Sequence, residues 1–174
     1  MVYAIRLPAP YVADDHFIFY RLQQNGIFGF ASQPPTSFFR PLISLHYSLD
    51  YWVGMSPLFS HGVNLLWHGG CAVLLYGLAY RLLMRWGWNR GRARVAAYLG
   101  ASLFAVLPAN VEAVAWFAAR ADMVATAGAL GALWLLMRFQ ERGYWRDYLA
   151  ALACFTVGLF CKESLLTFPV IVWL

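Results

Sequence analysis

Long apolar runs without a charged side chain alternate with short arginine-rich stretches from His61 to the end of the chain. The longest run, His61 to Tyr80, has 20 residues, which matches the roughly 20 apolar residues that a membrane-spanning helix needs. The later runs are shorter, but the stems of flanking arginines extend such helices at either end. The pattern predicts an all-α fold, a polytopic membrane helix bundle. Its helices are expected over about 61–84, 93–108, 119–139, 146–162 and a truncated 164–174.

The first 60 residues differ from this pattern and are predicted to form an external loop. Within it, Arg40-Pro41 opens a short helix that ends at Pro57, because proline is tolerated at a helix start and ends helices elsewhere. Mostly apolar residues recur in this segment at three- and four-residue spacing, with serines between them. This pattern is typical of an amphipathic helix in the membrane interface. The spaced residues are Leu42, Leu45, His46, Leu49, Trp52 and Val53.

The composition strengthens the membrane interpretation. Only 12% of the residues are charged and 61% are hydrophobic, whereas a soluble domain has about 25% charged residues. A soluble fold of this size has no way to cover so much apolar surface with polar groups. The composition therefore excludes a soluble protein and predicts the lipid bilayer as a partner.

The net charge of +5 is unevenly distributed along the chain. The loops around 81–94 and 138–147 hold 8 basic and 2 acidic residues, a net charge of +6, and the rest holds 5 basic and 6 acidic residues, a net charge of −1. Short arginine-rich loops stay on the cytoplasmic side. Segments 1–60, 108–122 and 162–164 are therefore predicted to face the lumen or periplasm. The basic charge is explained in this way, and no nucleic acid partner is predicted.

The last apolar stretch, Leu165 to Leu174, is shorter than a membrane span. The sequence is therefore expected to be a fragment of a longer protein. Its high ratio of arginine to lysine and its alanine-rich spans favour a bacterial inner membrane over the endoplasmic reticulum.

Two adjacent carboxylates, Asp14 and Asp15, precede the apolar residues Phe17 to Tyr20. Each disfavours ionisation of the other, and a carboxylate near a membrane surface is costly to bury. Such a group is suited to act as a general base that takes a proton from an acceptor hydroxyl. The dipeptide also suits a solvated turn or a helix N-cap, and the pattern alone leaves both interpretations open.

Other charged residues on the same predicted outer side are candidates for ligand binding. Lys162, the only lysine in the chain, is a compact charge that suits a phosphate contact, and Arg40 can bind phosphate similarly. Snorkelling of Lys162 and anchoring of the interfacial helix by Arg40 explain the same positions. The full set of candidates is Arg40, Glu112, Arg120, Asp122, Lys162 and Glu163.

Glu112 and Arg120 lie in a stretch that follows Pro108. Ionisable residues at membrane depth are commonly functional, but Asn110 as an N-cap with Glu112 at the positive end of a helix is a structural alternative. On one continuous helix the two residues would be about 12 Å apart along the axis. Either they serve different parts of a site or the helix breaks between them.

The histidines do not form a metal-binding pattern. His61 and His68 are seven residues apart and lie near one helix face, but no carboxylate or cysteine shares that spacing. We expect His46, His61 and His68 to pack or hydrogen-bond rather than to bind a metal. The sequence has no Gly-rich phosphate-binding loop and no Ser/His/Asp set, and no cofactor is predicted.

Four sequence blocks, in this order, resemble one family of membrane enzymes. They are FRPLISLHYSLDY (39–51), HGVNLLWH (61–68), PANVEAVAW (108–116) and KESLLTFP (162–169). The sequence is similar to the transmembrane O-mannosyltransferases of the cadherin-targeting type and to their bacterial relatives, which often carry tetratricopeptide repeats. These enzymes are GT-C membrane glycosyltransferases. The resemblance runs from about Asp14 to the end of the chain.

The resemblance implies an inverting hexosyltransferase that acts on the outer or luminal face. It implies a polyprenyl-phosphate donor of mannose or a similar sugar, and a hydroxyl acceptor on a protein or glycan. Asp14 or Asp15, with Asp14 favoured, would be the catalytic base. The six other charged candidates would bind the donor's phosphate and sugar. No metal is required, because cationic side chains can neutralise a leaving monophosphate.

The sequence also departs from the family in two places. The family's first spanning helix, expected before the aspartate pair, is absent, and Leu107 and Asn110 occupy positions near which the family usually has histidines. A polytopic transporter, or a non-catalytic membrane scaffold or remnant, is the alternative function. Transporters tend to place ionisable residues near mid-membrane, whereas here the charges cluster at one surface, which favours surface chemistry.

Overall fold

The structure is a computed structural model that describes residues 10–11, 14–32 and 40–173, without the side chains of residues 14, 25–32 and 171–173. All regular secondary structure in these ranges is helical, which confirms the all-α prediction. Short 3₁₀ turns cover Pro108–Asn110 and Glu163–Thr167. The α-helices are α1 (Asp14–Ser32), α2 (Pro41–Trp52), α3 (Pro57–Arg85), α4 (Arg90–Val106), α5 (Val111–Ala115), α6 (Arg120–Arg142), α7 (Trp145–Cys161) and α8 (Phe168–Trp173).

Local sequence signals explain several of the helix boundaries. Pro41 and Pro57 lie in the first turns of α2 and α3, where a backbone N–H has no partner within the helix. The Asn89 side chain accepts a hydrogen bond of 2.8 Å from the backbone N–H of Arg92 and so caps α4. Gly143 ends α6 with a φ of 69°, a left-handed conformation that favours glycine.

The long apolar helices lie close to the predicted positions. The predictions over 61–84, 93–108, 119–139 and 146–162 correspond to α3, α4, α6 and α7. By length and hydropathy α3 and α6 are suited to cross a membrane, and α4 with residues 108–115 is a third candidate that bends by 50°. These helices identify an integral membrane protein, while the predicted number of spans stays a prediction.

The region predicted as an external loop contains a further helix, which the pattern of apolar residues does not predict. This is α1, with 19 residues. Its buried residues Ile18, Phe19 and Leu22 pack in one cluster with Ile43 of α2 and with Phe117. Packing of an apolar face, rather than local propensity, stabilises most helices in proteins, and that packing is not visible in a short stretch of sequence.

The far end of the chain also differs from the expectation of one helix over 164–174. A 3₁₀ turn covers Glu163–Thr167, and α8 begins only at Phe168. Pro169 lies in the first turn of α8, where proline is tolerated.

The short helix predicted after Arg40 is present as α2, but it ends at Trp52 rather than at Pro57. The chain turns there because Gly54 and Met55 both have positive φ, 84° and 55°. The outward side of α2 is apolar and the inward side is mostly polar, which suits a helix with one face against lipid. Leu45, Leu49, Trp52 and Val53 are exposed, whereas Ser44, Tyr47, Ser48 and Asp50 are buried.

Helices α6 and α7 approach each other closely at two glycines. A Cβ on Gly128 would lie 2.8 Å from the carbonyl oxygen of Cys154 and 3.0 Å from the Cα of Gly158. A Cβ on Gly158 would lie 3.3 Å from the carbonyl oxygen of Ala125. Small residues permit such close backbone approach between membrane helices, so these glycines set the distance between α6 and α7.

Replacing Gly128 with alanine is expected to lower the free energy of unfolding by about 1–3 kcal/mol, as overpacking of a close interface does. Gly100→Ala on α4 is the matched control, because its Cβ would meet nothing within 4 Å. The control should retain or raise stability, since alanine favours helix over glycine. Thermal unfolding of both variants in the same detergent measures the difference, and equal melting temperatures would contradict the close-approach interpretation.

Candidate functional site

Residues 116–119, called the linker below, connect α5 to α6 and are held by side chains from three other helices. Asn64 of α3 donates hydrogen bonds of 3.2 and 3.0 Å to the carbonyl oxygens at positions 114 and 116. The Tyr47 hydroxyl of α2 donates one of 2.7 Å to the carbonyl oxygen of Ala118. The backbone N–H of Ala118 donates one of 3.0 Å to Oδ1 of Asp15 in α1. The backbone N–H and the carbonyl oxygen of Ala118 are therefore both held by side chains of other helices, which fixes the linker.

An ion pair between Arg120 and Asp50 lies beside the linker and is called the buried pair. Both side chains have no exposed surface, and the Arg120 Nη2 lies 3.1 Å from the Asp50 Oδ1. The guanidinium also donates hydrogen bonds to Asn64 Oδ1 at 2.7 Å and to the carbonyl oxygen of Ser60 at 3.0 Å. Because a buried charge must be paired and hydrogen-bonded, these contacts fix Arg120 in one position.

A chain of hydroxyl groups extends from the buried pair toward Tyr11. Ser60 Oγ donates a hydrogen bond of 2.5 Å to Asp50 Oδ1 and lies 2.7 Å from the Tyr11 hydroxyl. Burial raises the pKa of Tyr11, so the phenol remains protonated. Since the Ser60 proton is directed at Asp50, Tyr11 is the donor to Ser60. The chain connects the residues before α1 to α2 and α3.

Phe117 places an aromatic ring at the centre of this region and is fully buried. Its ring centroid lies 4.9 Å from that of Phe19 and 4.7 Å from that of Tyr47. The Arg120 guanidinium lies over the same ring, 4.8 Å from the centroid. This cation–π contact adds to the contacts that hold Arg120 against the linker.

Four charged residues, from the start of α2, from α6 and from the α7–α8 connection, form a second set, called the surface charge cluster. Arg40 immediately precedes α2. Arg40 forms a salt bridge with Glu163, whose Oε2 lies 2.8 Å from the arginine Nε, and Lys162 forms one with Asp122. The hydrogen bond from Arg40 lowers the pKa of Glu163, and the charge of Lys162 adds to this effect. The four side chains are between 25% and 48% exposed, so a ligand can reach them.

Tyr47 lies beside the buried pair, with the Arg120 guanidinium 5.8 Å from its ring centroid. Burial raises the pKa of the Tyr47 hydroxyl, and the charges of Arg120, Arg40, Asp15 and Asp122 also act on it. Asp122 follows Arg120 in the first turn of α6, where the helix dipole favours a negative charge. Residues from distant parts of the sequence are thus gathered at one end of the helix bundle.

Six of the eight predicted site residues lie either at the linker and the buried pair or in the surface charge cluster. Asp15 and Arg120 contact or adjoin the linker, and the surface charge cluster contains the other four. Glu112 is exposed in α5, and within the described residues its side chain makes no hydrogen bond or ion pair. The side chain of Asp14, at the start of α1, lies outside what the structure describes. The helix does break between Glu112 and Arg120, which confirms one of the two predicted alternatives.

Sequence reasoning missed three residues of the buried network: Asp50, Ser60 and Asn64. Asp50 is an acidic residue within α2, a helix whose sequence is otherwise mostly apolar or neutral. Ser60 and Asn64 are four residues apart and therefore share one face of α3. An acidic residue and a polar pair on apolar helices were the signals that could have indicated a buried network.

Two of the histidines act as predicted, through packing and hydrogen bonds. His46 Nε2 accepts a hydrogen bond of 3.0 Å from Trp67 Nε1. Burial lowers the pKa of His46, and the positive charge of Arg120 lowers it further. His68 Nε2 lies 3.2 Å from the carbonyl oxygen of Ala105. Among the residues that the structure describes, no three His, Cys, Asp or Glu side chains are grouped so as to hold a metal ion.

Fold and site together define an all-α integral membrane protein with a charged site at one end of its helices. No family model matches the chain, and no solved structure matches it. Curated relatives do match. The chain is 32% identical over 129 residues to protein O-mannosyl-transferase Tmtc1 of Drosophila melanogaster, which covers 74% of this chain and 14% of the relative. It is 31% identical over 156 residues to protein O-mannosyl-transferase TMTC4 of Homo sapiens, covering 74% and 19%.

A third relative, protein O-mannosyl-transferase TMTC1 of Homo sapiens, is 39% identical over 98 residues, which is 56% of this chain and 10% of the relative. The chain thus resembles the TMTC O-mannosyl-transferases, as the four sequence blocks predicted. It spans only 10% to 19% of the length of these three relatives. All three are animal proteins, so the comparisons do not support the predicted preference for a bacterial inner membrane.

Proposed function

We propose that this protein is part of a membrane glycosyltransferase that transfers mannose or a similar hexose from a polyprenyl-phosphate donor to a hydroxyl of a protein or glycan. The observation that carries the proposal is the surface charge cluster, in which Arg40 pairs with Glu163 and Lys162 pairs with Asp122 while all four side chains stay partly exposed. The sequence blocks shared with O-mannosyltransferases contain Arg40 and Lys162, the two cations of the surface charge cluster. An acidic group that can act as a base and two accessible cations that can stabilise a leaving phosphate suit transfer from a sugar phosphate.

In the proposed reaction Asp14 is the general base. It takes the proton of the acceptor hydroxyl while the acceptor oxygen attacks the anomeric carbon of the donor. The bond between that carbon and the phosphate oxygen breaks, the configuration inverts, and the polyprenyl phosphate leaves with the bonding electron pair. Asp15 is a positioning residue, since it holds the linker through the Ala118 N–H.

Arg40 and Lys162 are the residues proposed to bind the leaving phosphate. Both are partly exposed and already pair with carboxylates, so a phosphate of higher charge density can replace Glu163 and Asp122 as their partner. The freed carboxylates can then accept hydrogen bonds from sugar hydroxyls. Arg120 differs, because its guanidinium is fully buried and engaged by Asp50, Asn64 and Ser60. Its proposed role is to hold the linker rather than to bind the donor.

The same geometry supports a reaction face on the outer or luminal side. The two arginine-rich loops lie at the opposite ends of α3, α4, α6 and α7 from the surface charge cluster, and such loops favour the cytoplasmic side. The proposal requires no metal, because the two cations balance the charge of a leaving monophosphate. Glu112, which is exposed on α5, is also a proposed donor-binding residue.

Transfer from radiolabelled polyprenyl-phosphate mannose to a serine- and threonine-containing peptide, in membranes that contain the protein, tests the proposal. We expect Lys162→Gln and Arg40→Gln each to raise the KM for the donor by about tenfold or more, since a charge-assisted hydrogen bond is worth about 1.5–3 kcal/mol. Arg92→Gln, in the first turn of α4 at the opposite end of the helix bundle, is the control and should leave the KM unchanged. Absence of transfer from any polyprenyl-phosphate sugar would contradict the proposed function.

A further inference from the structure

A second charged region lies at the opposite end of the helix bundle. A cavity of about 460 Å³ opens there between the end of α3, the start of α4 and the end of α6. Arg81 and Arg85 line it from α3, Arg90 and Arg94 from α4, and Glu141 from α6. The cavity therefore brings four guanidinium groups and one carboxylate together, a net charge of +3.

The single carboxylate is already shared by the two arginines of α3. Glu141 Oε2 lies 3.4 Å from Arg81 Nη1, and Glu141 Oε1 lies 3.4 Å from Arg85 Nε. Arg85 is further held by hydrogen bonds of 3.1 Å to Gln140 Oε1 and 3.0 Å to the carbonyl oxygen of Met137. One carboxylate therefore serves two guanidinium groups, at distances longer than those of charge-assisted hydrogen bonds. A phosphate group in the cavity would add acceptor oxygens for these arginines.

The two arginines of α4 contribute charge that the fold itself leaves uncompensated. Within the described residues, the guanidinium groups of Arg90 and Arg94 form no hydrogen bond and no ion pair. They are four residues apart and so project from the same face of α4. Two planar guanidinium groups on one face are suited to bind phosphate oxygens in pairs.

The surroundings of the cavity are those of a membrane surface. Trp86 and Trp88 in the adjacent turn are 72% and 45% exposed, as tryptophan is at the level of lipid headgroups. Along α4, beyond the arginines, Val95, Leu99 and Leu103 form an exposed apolar stripe at four-residue spacing. A lipid whose phosphate lay in the cavity could extend its acyl chains along this stripe.

We propose that this cavity is a binding site for a phosphate group, supplied by an anionic phospholipid of the leaflet on the arginine-rich side. Basic pockets between membrane helices are suited to such headgroups. The site is distinct from the surface charge cluster and does not depend on the proposed transferase reaction. Arginines on the same side of the bundle that do not line the cavity, such as Arg92 and Arg146, provide an internal comparison. They carry the same charge as Arg90 and Arg94 but lie outside the proposed site.

The experiment measures binding to the purified full chain in neutral detergent by native mass spectrometry. The probes are phosphatidylglycerol, phosphatidylcholine and inorganic phosphate. The test variant is Arg90→Ala/Arg94→Ala, and the matched control is Arg92→Ala/Arg146→Ala, which removes two arginines from the same side but none from the cavity. We expect the wild type and the control to bind phosphatidylglycerol more tightly than phosphatidylcholine. The test variant should lose about thirtyfold in affinity for phosphatidylglycerol, at roughly a factor of five for each arginine.

The three probes distinguish the sources of the phosphate group. Loss of phosphatidylglycerol binding in the test variant alone supports the lipid source. Binding of inorganic phosphate with the same dependence on Arg90 and Arg94, without preference for phosphatidylglycerol, supports a phosphate site but overturns the lipid source. Equal affinities of the test and control variants for every probe would overturn the site. A circular dichroism spectrum like that of the wild type establishes that the test variant is folded.

Discussion

Replacing Arg120 with methionine is expected to lower the free energy of unfolding by about 3–5 kcal/mol, because it leaves the partner of a buried ion pair uncompensated. Asp50 would remain fully buried without its cationic partner. Asn64 Oδ1 and the carbonyl oxygen of Ser60 would each lose a donor. The linker would also lose the cation over the Phe117 ring.

A double-mutant cycle separates the ion pair from simple loss of volume. Asp50→Leu should cost a similar amount by itself, since it leaves the buried guanidinium without its carboxylate. The double variant, Arg120→Met with Asp50→Leu, should cost much less than the sum of the two single variants, because neither charge remains unpaired. Equilibrium unfolding in detergent micelles measures all three. Single-variant losses below about 1 kcal/mol, the range of exposed ion pairs, would contradict the structural assignment of the buried pair.

The sequence predicts the long helices well because their signal is local. An uncharged run of 20 residues such as His61 to Tyr80 has one stable form in a bilayer. Glycine and proline mark where such helices end, as Gly143 does for α6. The helix α1 could not be predicted in this way, since it owes its stability to Ile18, Phe19 and Leu22 packing against residues far along the chain.

The candidate site was predictable in its composition but not in its pairing. The arginine counts predict that Arg40, Lys162 and Glu163 lie on one side of the membrane, and the structure joins these residues in one cluster. Nothing local indicates that Arg120 pairs with Asp50 rather than with a ligand, because the two residues are 70 positions apart. Long-range pairing of charges depends on how helices pack, which charge counts and spacing do not determine.

Asp14→Asn is expected to reduce the rate of sugar transfer by about 10²–10⁴-fold, the usual contribution of a general base. Asparagine has nearly the same shape as aspartate but cannot take the proton of the acceptor hydroxyl. The KM for the donor should change little, because the proposed phosphate contacts are made by Arg40 and Lys162. Separate measurement of kcat and KM in membranes with a labelled polyprenyl-phosphate sugar tests this expectation.

The neighbouring variant Asp15→Asn is the comparison that makes the test specific. Its amide oxygen can still accept the hydrogen bond from the Ala118 N–H, so the linker should remain in place. Exchange of a charged for a neutral acceptor costs about 1 kcal/mol, which corresponds to a loss of about tenfold or less in rate. If Asp15→Asn abolished transfer while Asp14→Asn retained it, the two roles would be exchanged and Asp15 would be the base. Full activity in both variants would exclude the aspartate pair from catalysis, and the reaction would then need a base from another part of the site.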